Sequence, residues 1–245
     1  MIRLVTFDVT DTLLRLTRSV GEQYAAAAAK VLNSTGQGVS PSPDLLNRNF
    51  RLIFRKLDHV FPAYGRNSGM TQRDWWFRVA RETFVASGFS DDKSTRKIFE
   101  ILYDDYSKGS QWEIIEGARD ALDYLKKAKI SRGIISNFDD RLEALLRAKN
   151  LDSHFDFVVA TFNTGLAKPS REIFRLGLGD KEPHEVLHVG DSVEKDYAPA
   201  RDLGMHAIVV SPDEKNEALR SVPREHVVRN LRDIVSYIDS VNTSI

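Results

Sequence analysis

The chain has 245 residues, 42% of them hydrophobic, and 35 Lys+Arg balance 35 Asp+Glu, so the formal net charge is zero at pH 7. That is enough apolar side chain for one large domain or two smaller ones, and the balanced, interspersed charge gives no basis for a nucleic-acid or membrane-surface partner. Cys is absent, which excludes disulfides, thiolate nucleophiles and Cys-ligated zinc or iron–sulfur sites.

An apolar run, Leu4-Val5-Thr6-Phe7, predicts a buried strand over 2–8 that ends in Asp8. The C-terminal end of a buried strand is where an open α/β sheet places its chemistry, although an Asp there can equally cap a turn. About one hundred residues follow with helical periodicity and no convincing strand, far more than one crossover needs. They predict an inserted unit with helices over 21–32, 43–57, 72–87 and 92–107, separated by Gly-, Ser- and Pro-containing breaks. The five alanines between Tyr24 and Lys30 read as a strong helix segment packed closely on a neighbour.

From Gly117 onward, helix-like and strand-like segments alternate: helix 118–127, strand 132–136, helix 139–149, strand 155–160, a helix from about 171, strand 186–190, helix 194–203 and strand 206–210. Such alternation predicts an α/β fold, a doubly wound parallel Rossmann-like sheet with helices on both faces and an inserted helical cap domain. The expected division is 1–16 with 116–245 for the sheet-bearing core and 17–115 for a four-helix cap over the sheet's C-terminal edge. With no basic leader and no apolar stretch of spanning length, the expectation is a cytoplasmic protein with no membrane partner, monomeric or homodimeric.

Four strand ends carry polar residues of distinct types: Asp8; Ser136-Asn137; Lys168-Pro169, in the loop beyond 155–160; and Gly190-Asp191, with Asp196 five residues further on. With these four motifs in this order over essentially the whole sequence, the chain resembles the haloacid dehalogenase-like hydrolase superfamily. The resemblance implies hydrolysis of a small phosphorylated substrate through an aspartyl phosphate on Asp8. It also implies Mg²⁺, which favours an oxygen shell of carboxylates, waters and substrate phosphate. Asp8 and Asp191 are then the direct ligands, with the backbone carbonyl of Thr10 as the third protein oxygen, and Asp196 acts behind them or through water.

Lys168 would neutralise the nucleophile and the phosphoryl oxygens, while the Ser136 hydroxyl holds an equatorial oxygen. The bland alternatives are a solvated loop lysine at 168, an N-cap or turn serine at 136 and a helix-start acid at 196. Thr12 either bonds a phosphate oxygen or braces the loop. Asn137 and Asp139 read first as caps of the helix that starts near Asp140, with a substrate contact second. In the inserted unit, Arg66 is a candidate for an anionic substrate group, and Phe61, Tyr64, Trp75, Trp76 and Trp112 read mainly as core. His188, inside a strand, reads as a hydrogen-bonded core residue.

One departure bears on catalysis. Phosphatases of this superfamily carry a second Asp two residues after the nucleophile, which protonates the leaving group and activates water; here that position is Thr10. A threonine hydroxyl is no general acid near neutral pH, and losing a positioned donor removes about 10²- to 10⁴-fold in rate, so slow hydrolysis is expected. Asp11 could substitute if the loop turned it inward, but it reads first as a loop-capping or solvent-facing acid. Two other functions remain open at this stage: a phosphate-ligand binder or scaffold with little or no turnover, and a 2-haloacid dehalogenase. The acids at 191 and 196 argue against the second.

Overall fold

Strand β1 (Leu4–Phe7) is buried at all four positions, as a parallel strand covered on both faces must be. The computed structural model describes residues 1–35, 40–213 and 216–243. After β1 the chain turns tightly into β2 (Leu14–Leu16), runs through helices α1 (Val20–Thr35), α2 (Pro43–Val60), α3 (Gln72–Ala86) and α4 (Asp92–Ser107), and returns along β3 (Trp112–Ile114), which pairs with β2. Three-residue strands are too short to show a period of two, which is why periodicity points to no strand there.

Then come α5 (Ala118–Lys127), β4 (Ser131–Ser136), α6 (Leu142–Ala148), β5 (Phe157–Ala160), α7 (Thr161–Thr164), α8 (Arg171–Leu178) and β6 (Val186–Gly190). A π turn over Val193–Tyr197, α9 (Ala198–Asp202), β7 (His206–Val210), β8 (Val227–Val228) and α10 (Ile234–Thr243) complete the described chain. The sheet is six-stranded in the order β5-β4-β1-β6-β7-β8, and every neighbouring pair is parallel. Strand order runs outward from β1 to β5, then restarts on the other side of β1 at β6. That reversal is a topological switch point, and the crevice at the carboxyl ends of β1 and β6 is the default ligand site in such a sheet.

Packing divides the chain into two compact units. One, the sheet unit, comprises Met1–Arg15, Ile114–Phe138 and Lys149–Ile245; the other, the helical unit, comprises Leu16–Glu113 and Asp139–Ala148. The segment 139–148 thus packs with the inserted helices, whereas the sequence division places it with the sheet. Asp139 accepts the Trp76 indole N–H at 2.7 Å, and Gln72 exchanges two hydrogen bonds with Asp140, at 2.9 and 3.0 Å. The Arg141 guanidinium lies over Trp76 and Tyr103.

Within the helical unit, α2, α3 and α4 start at side-chain caps from Ser42, Thr71 and Asp91. The alanine tract does bury closely: Ala27 and Ala28 pack among Leu46, Ala80, Phe84 and Ile98. A Cβ at Gly21 would lie 2.0 Å from the Pro43 carbonyl, so only glycine lets α1 approach there. In the sheet unit, Leu4, Ile135, Val186, Ala207 and Val209 share one face of the sheet by register and pack there with Phe174 of α8.

Candidate active site

The site begins with a strand that ends and a loop that folds back. The Asp8 amide donates to the Val189 carbonyl of β6 at 2.9 Å, which extends the pairing with β6 just beyond β1. The loop then coils on itself: the Val9 carbonyl accepts the amides of Thr12, Leu13 and Leu14, and Asp11 takes the left-handed φ of 57° that lets Thr10 bridge to Leu14. The Thr12 hydroxyl is fully buried and has no hydrogen-bond partner.

Lys168, only 4% exposed, reaches the site from the loop after α7. Its Nζ sits 2.8 Å from Asp8 Oδ1 and 2.5 Å from Asp196 Oδ1. Burial works against the ammonium, but the Asp8 and Asp196 charges outweigh it and hold the lysine above its ordinary pKa. The loop itself is braced by Asn137. Its Oδ1 accepts the Lys168 amide at 2.7 Å and the Thr161 hydroxyl at 3.2 Å, and its Nδ2 donates to the Lys168 carbonyl at 2.9 Å. The Lys168–Pro169 peptide is cis.

Asp191 follows β6, and Asp196 returns from the π turn. A Cβ at Gly190 would lie 2.2 Å from the Asp196 Cγ, so the glycine is what admits that carboxylate. Asp196 Oδ1 takes both Lys168 and the His188 Nε2, the latter at 3.1 Å, and Oδ2 accepts the Ser192 amide at 3.1 Å. Burial alone would raise this carboxyl; the Lys168 charge and the His188 hydrogen bond reverse that and keep it far below the usual carboxylate range. Asp191 has the opposite fate. Burial, then the charges of Asp8, Asp196 and Asp11, push it up to about 7.

Oxygens of Asp8, Asp191 and Asp196 come within 4.8 Å of one another. Asp8 and Asp196 are buried and Asp191 half-buried, the Lys168 ammonium beside them is already shared between Asp8 and Asp196, and such a group of hard oxygen donors suits Mg²⁺. Asp8 and Asp191 are the members that could hold such an ion directly, because both oxygens of Asp196 are occupied by protein donors.

The structure therefore brings together Asp8, Lys168, Asp191 and Asp196, with Thr10 and Thr12 on the loop after Asp8. Ser136, 1% exposed, ends β4 beside β1. Asn137 braces the Lys168 loop, and Asp139 accepts the Arg141 amide at 3.0 Å in the turn just before α6. Asp11 is on the surface, yet burial of its carboxyl and the Asp8 charge raise it, with Arg15 opposing. Arg66 belongs to the helical unit, exposed on the turn Ala63–Ser68, where Trp75 and Tyr64 are buried in an aromatic cluster.

A cationic side chain thus lies among carboxylates at the switch point of a parallel α/β sheet, the place where sheets of this class carry their ligand site. The profile described as haloacid dehalogenase-like hydrolase matches residues 2–204, and the chain belongs to that family. It is 39% identical over 236 residues to "Haloacid dehalogenase-like hydrolase domain-containing protein 3" of Xenopus laevis, covering 96% of this chain and 94% of the relative. Among solved structures, the magnesium-bound HAD-hydrolase YfnB of Bacillus subtilis shares the fold at TM-score 0.69 and 20% identity, over 97% of this chain and 99% of that one. The 2-haloacid dehalogenase of Pseudomonas syringae pv. Tomato DC3000 does so at 0.67 and 23%, over 98% and 99%.

Proposed function

We propose that the protein is an Mg²⁺-dependent hydrolase of small phosphorylated metabolites, working slowly through an aspartyl phosphate on Asp8. The observation that carries this reading is the buried Lys168 ammonium shared by Asp8 and Asp196, with the Asp191 carboxylate beside them. Such an arrangement fits a site that must accept a phosphate's negative charge next to a carboxylate nucleophile.

An Asp8 oxygen attacks phosphorus as the ester P–O bond breaks, giving an acyl phosphate; water then attacks phosphorus, the Asp8–phosphate bond breaks, and inorganic phosphate leaves. Held by Asp8, Asp191 and the Thr10 carbonyl, Mg²⁺ would supply Lewis-acid polarisation and charge neutralisation of the phosphoryl oxygens. Lys168 keeps the nucleophile oriented and meets the charge that grows on the transferred group. Asp196, fixed by three protein donors, anchors Lys168 and stands behind the ion. Ser136, and Thr12 with its unpartnered hydroxyl, are assigned to the phosphoryl oxygens. Thr10 cannot protonate the leaving oxygen, which must take its proton from water, and this is the source of the slow rate.

Thr10 also favours a second reading, a protein that binds a phosphorylated ligand and Mg²⁺ without useful turnover. Dehalogenation ranks third, because a site that forms a carboxylate ester without a metal has no need of Asp191 and Asp196 grouped around Asp8.

The test is product formation from a panel of phosphorylated metabolites with Mg²⁺, using wild type, Asp8→Asn and Thr10→Asp. Turnover by wild type that disappears in Asp8→Asn supports the hydrolase. Activity in Thr10→Asp alone moves the natural chain to the binding reading, and chloride release from a 2-haloacid without metal would revive the third.

A further inference from the structure

β6 has the composition of a fully buried central strand, Val186-Leu187-His188-Val189-Gly190, and all five residues are buried. A valine or leucine at 188 would fill that position at no polar cost, whereas a buried imidazole must have both ring nitrogens satisfied. Both are. Nδ1 is 2.9 Å from the Thr6 hydroxyl, Nε2 is 3.1 Å from Asp196 Oδ1, and the ring stands edge-on to Phe174 with centroids 5.0 Å apart. With Nε2–H donating to the carboxylate, Nδ1 is the acceptor, and the Thr6 hydroxyl is the donor that selects this tautomer.

The register makes this arrangement specific. Thr6 on β1 is the direct cross-strand partner of His188 on β6, two residues before Asp8 and three before Asp191 in their own strands. From Thr6 the contacts run through His188 to Asp196 Oδ1, on to Lys168 Nζ and from there to Asp8 Oδ1. Asp196 Oδ1 therefore divides its accepting capacity between an imidazole N–H and the ammonium.

We propose that His188, locked by Thr6, is a positioning residue for the reaction. It fixes the rotation of the Asp196 carboxylate and limits its hold on Lys168, so that the ammonium stays seated on Asp8. This rests on the hydrolase reading for its catalytic meaning but not for its geometry. Without the His188 donor, Asp196 Oδ1 turns its whole accepting capacity to Lys168, and the lysine is drawn toward Asp196 and away from Asp8.

The experiment reads the Lys168 side-chain ¹⁵N resonance in metal-free protein, before any substrate is added, in wild type, His188→Leu, His188→Gln and Thr6→Val. Glutamine retains an N–H where Nε2 stood; leucine retains only the volume. The Lys168 resonance is expected to move in His188→Leu, to return most of the way in His188→Gln and to move less in Thr6→Val. Thr6→Val should have no added effect in the His188→Leu background, since the two act in series. If His188→Leu does not fold, the glutamine and Thr6→Val spectra carry the test. An unchanged Lys168 resonance in folded His188→Leu, or in Thr6→Val where the leucine variant is lost, overturns the proposal.

On a substrate from the panel, His188→Leu should lower kcat about 10-fold with KM within about twofold, and His188→Gln should recover most of the loss. Loss in KM alone would overturn the positioning role. Absence of any wild-type turnover defeats the hydrolase reading and leaves the spectroscopic result standing.

Discussion

The two units bury different chemistry. The sheet unit places an ammonium, two carboxylates and an imidazole in its interior, each held by named partners. The helical unit buries rings: Trp75 lies within 5.5 Å, centroid to centroid, of Phe54, Tyr64 and Trp76, and its indole N–H finds the Phe61 carbonyl at 3.1 Å. Buried ion clusters are weak sources of net stability, because desolvation offsets much of their attraction; buried aromatics are strong ones. The contrast teaches where to look for function. Charge kept inside a fold that could have used hydrocarbon points to chemistry, and rings inside a helical bundle point first to packing.

That contrast can be broken or sharpened in order of expected effect. Thr10→Asp should raise turnover by about 10²- to 10⁴-fold on any substrate the wild type accepts, with little change in the denaturation midpoint, because it adds a proton donor to a loop and no packing. Steady-state kinetics beside a urea titration check both halves, and a rate unchanged or lowered would mean that the loop does not present residue 10 to the leaving group. Next in size is a matched pair. Trp75→Ala should cost about 3–5 kcal/mol of stability by opening a cavity in the ring cluster. Lys168→Met should cost about 3–5 kcal/mol too, for the opposite reason, since it leaves Asp8 and Asp196 buried without their cation. The two separate when the acids are neutralised: Lys168→Met with Asp196→Asn should recover much of its loss, and no charge change should rescue Trp75→Ala.

A smaller effect depends on pH. Asp191 has a folded value of about 7 against 3.8 for the unperturbed group, so the metal-free protein favours its protonated form. The sign follows from linkage: this group's stabilising contribution is complete below about 4 and is lost as pH rises through about 7. Metal-free protein should therefore melt at falling temperature across that window, while the rise in Tm produced by Mg²⁺ should grow, because ion binding displaces the proton. Calorimetric scans with and without Mg²⁺ measure this, and Asp191→Asn should flatten both trends. A Mg²⁺-induced shift that is flat from about pH 5 to about pH 8 in wild type would remove Asp191 from the ligand set.

The smallest change is expected at Asp11. Its φ of 57° suits glycine, so Asp11→Gly should alter stability by no more than about 1 kcal/mol, relief of the strained backbone being countered by a more flexible unfolded chain. Turnover should not change. A fall in kcat of tenfold or more would assign to Asp11 the acid–base role that Thr10 lacks.

Much of the fold was legible because it follows from periodicity. The strands expected over 186–190 and 206–210 form as β6 and β7 with those limits, and the helices expected over 92–107 and 118–127 form as α4 and α5. Legibility failed where long-range pairing decides the local backbone. The helix expected over 194–203 opens as a π turn because Asp196 is drawn back to Lys168, His188 and the Ser192 amide. The helix expected from 139 starts at Leu142, after Asp139 and Asp140 engage Arg141, Trp76 and Gln72. In the site, the acids and the lysine stood out as polar ends of apolar strands. The roles of Asn137 as a brace for the lysine loop, and of Thr6 beside His188, depend on which strands are neighbours. The one local hint was a histidine in an otherwise apolar strand.

The segment Asp139–Ala148 packs with the inserted helices although it is separated from them in sequence by α5 and β4. For anyone who dissects this protein, the inserted region is consequently not a cassette. Excising 16–113 and bridging the gap would strip Asp139 of Trp76, Asp140 of Gln72, and Arg141 of the rings it lies against, leaving the next stretch of chain after Ser136-Asn137-Phe138 without its scaffold. A minimal catalytic core would have to redesign that helix as well, and a chimaera that exchanges the helical region between relatives would have to carry both pieces together.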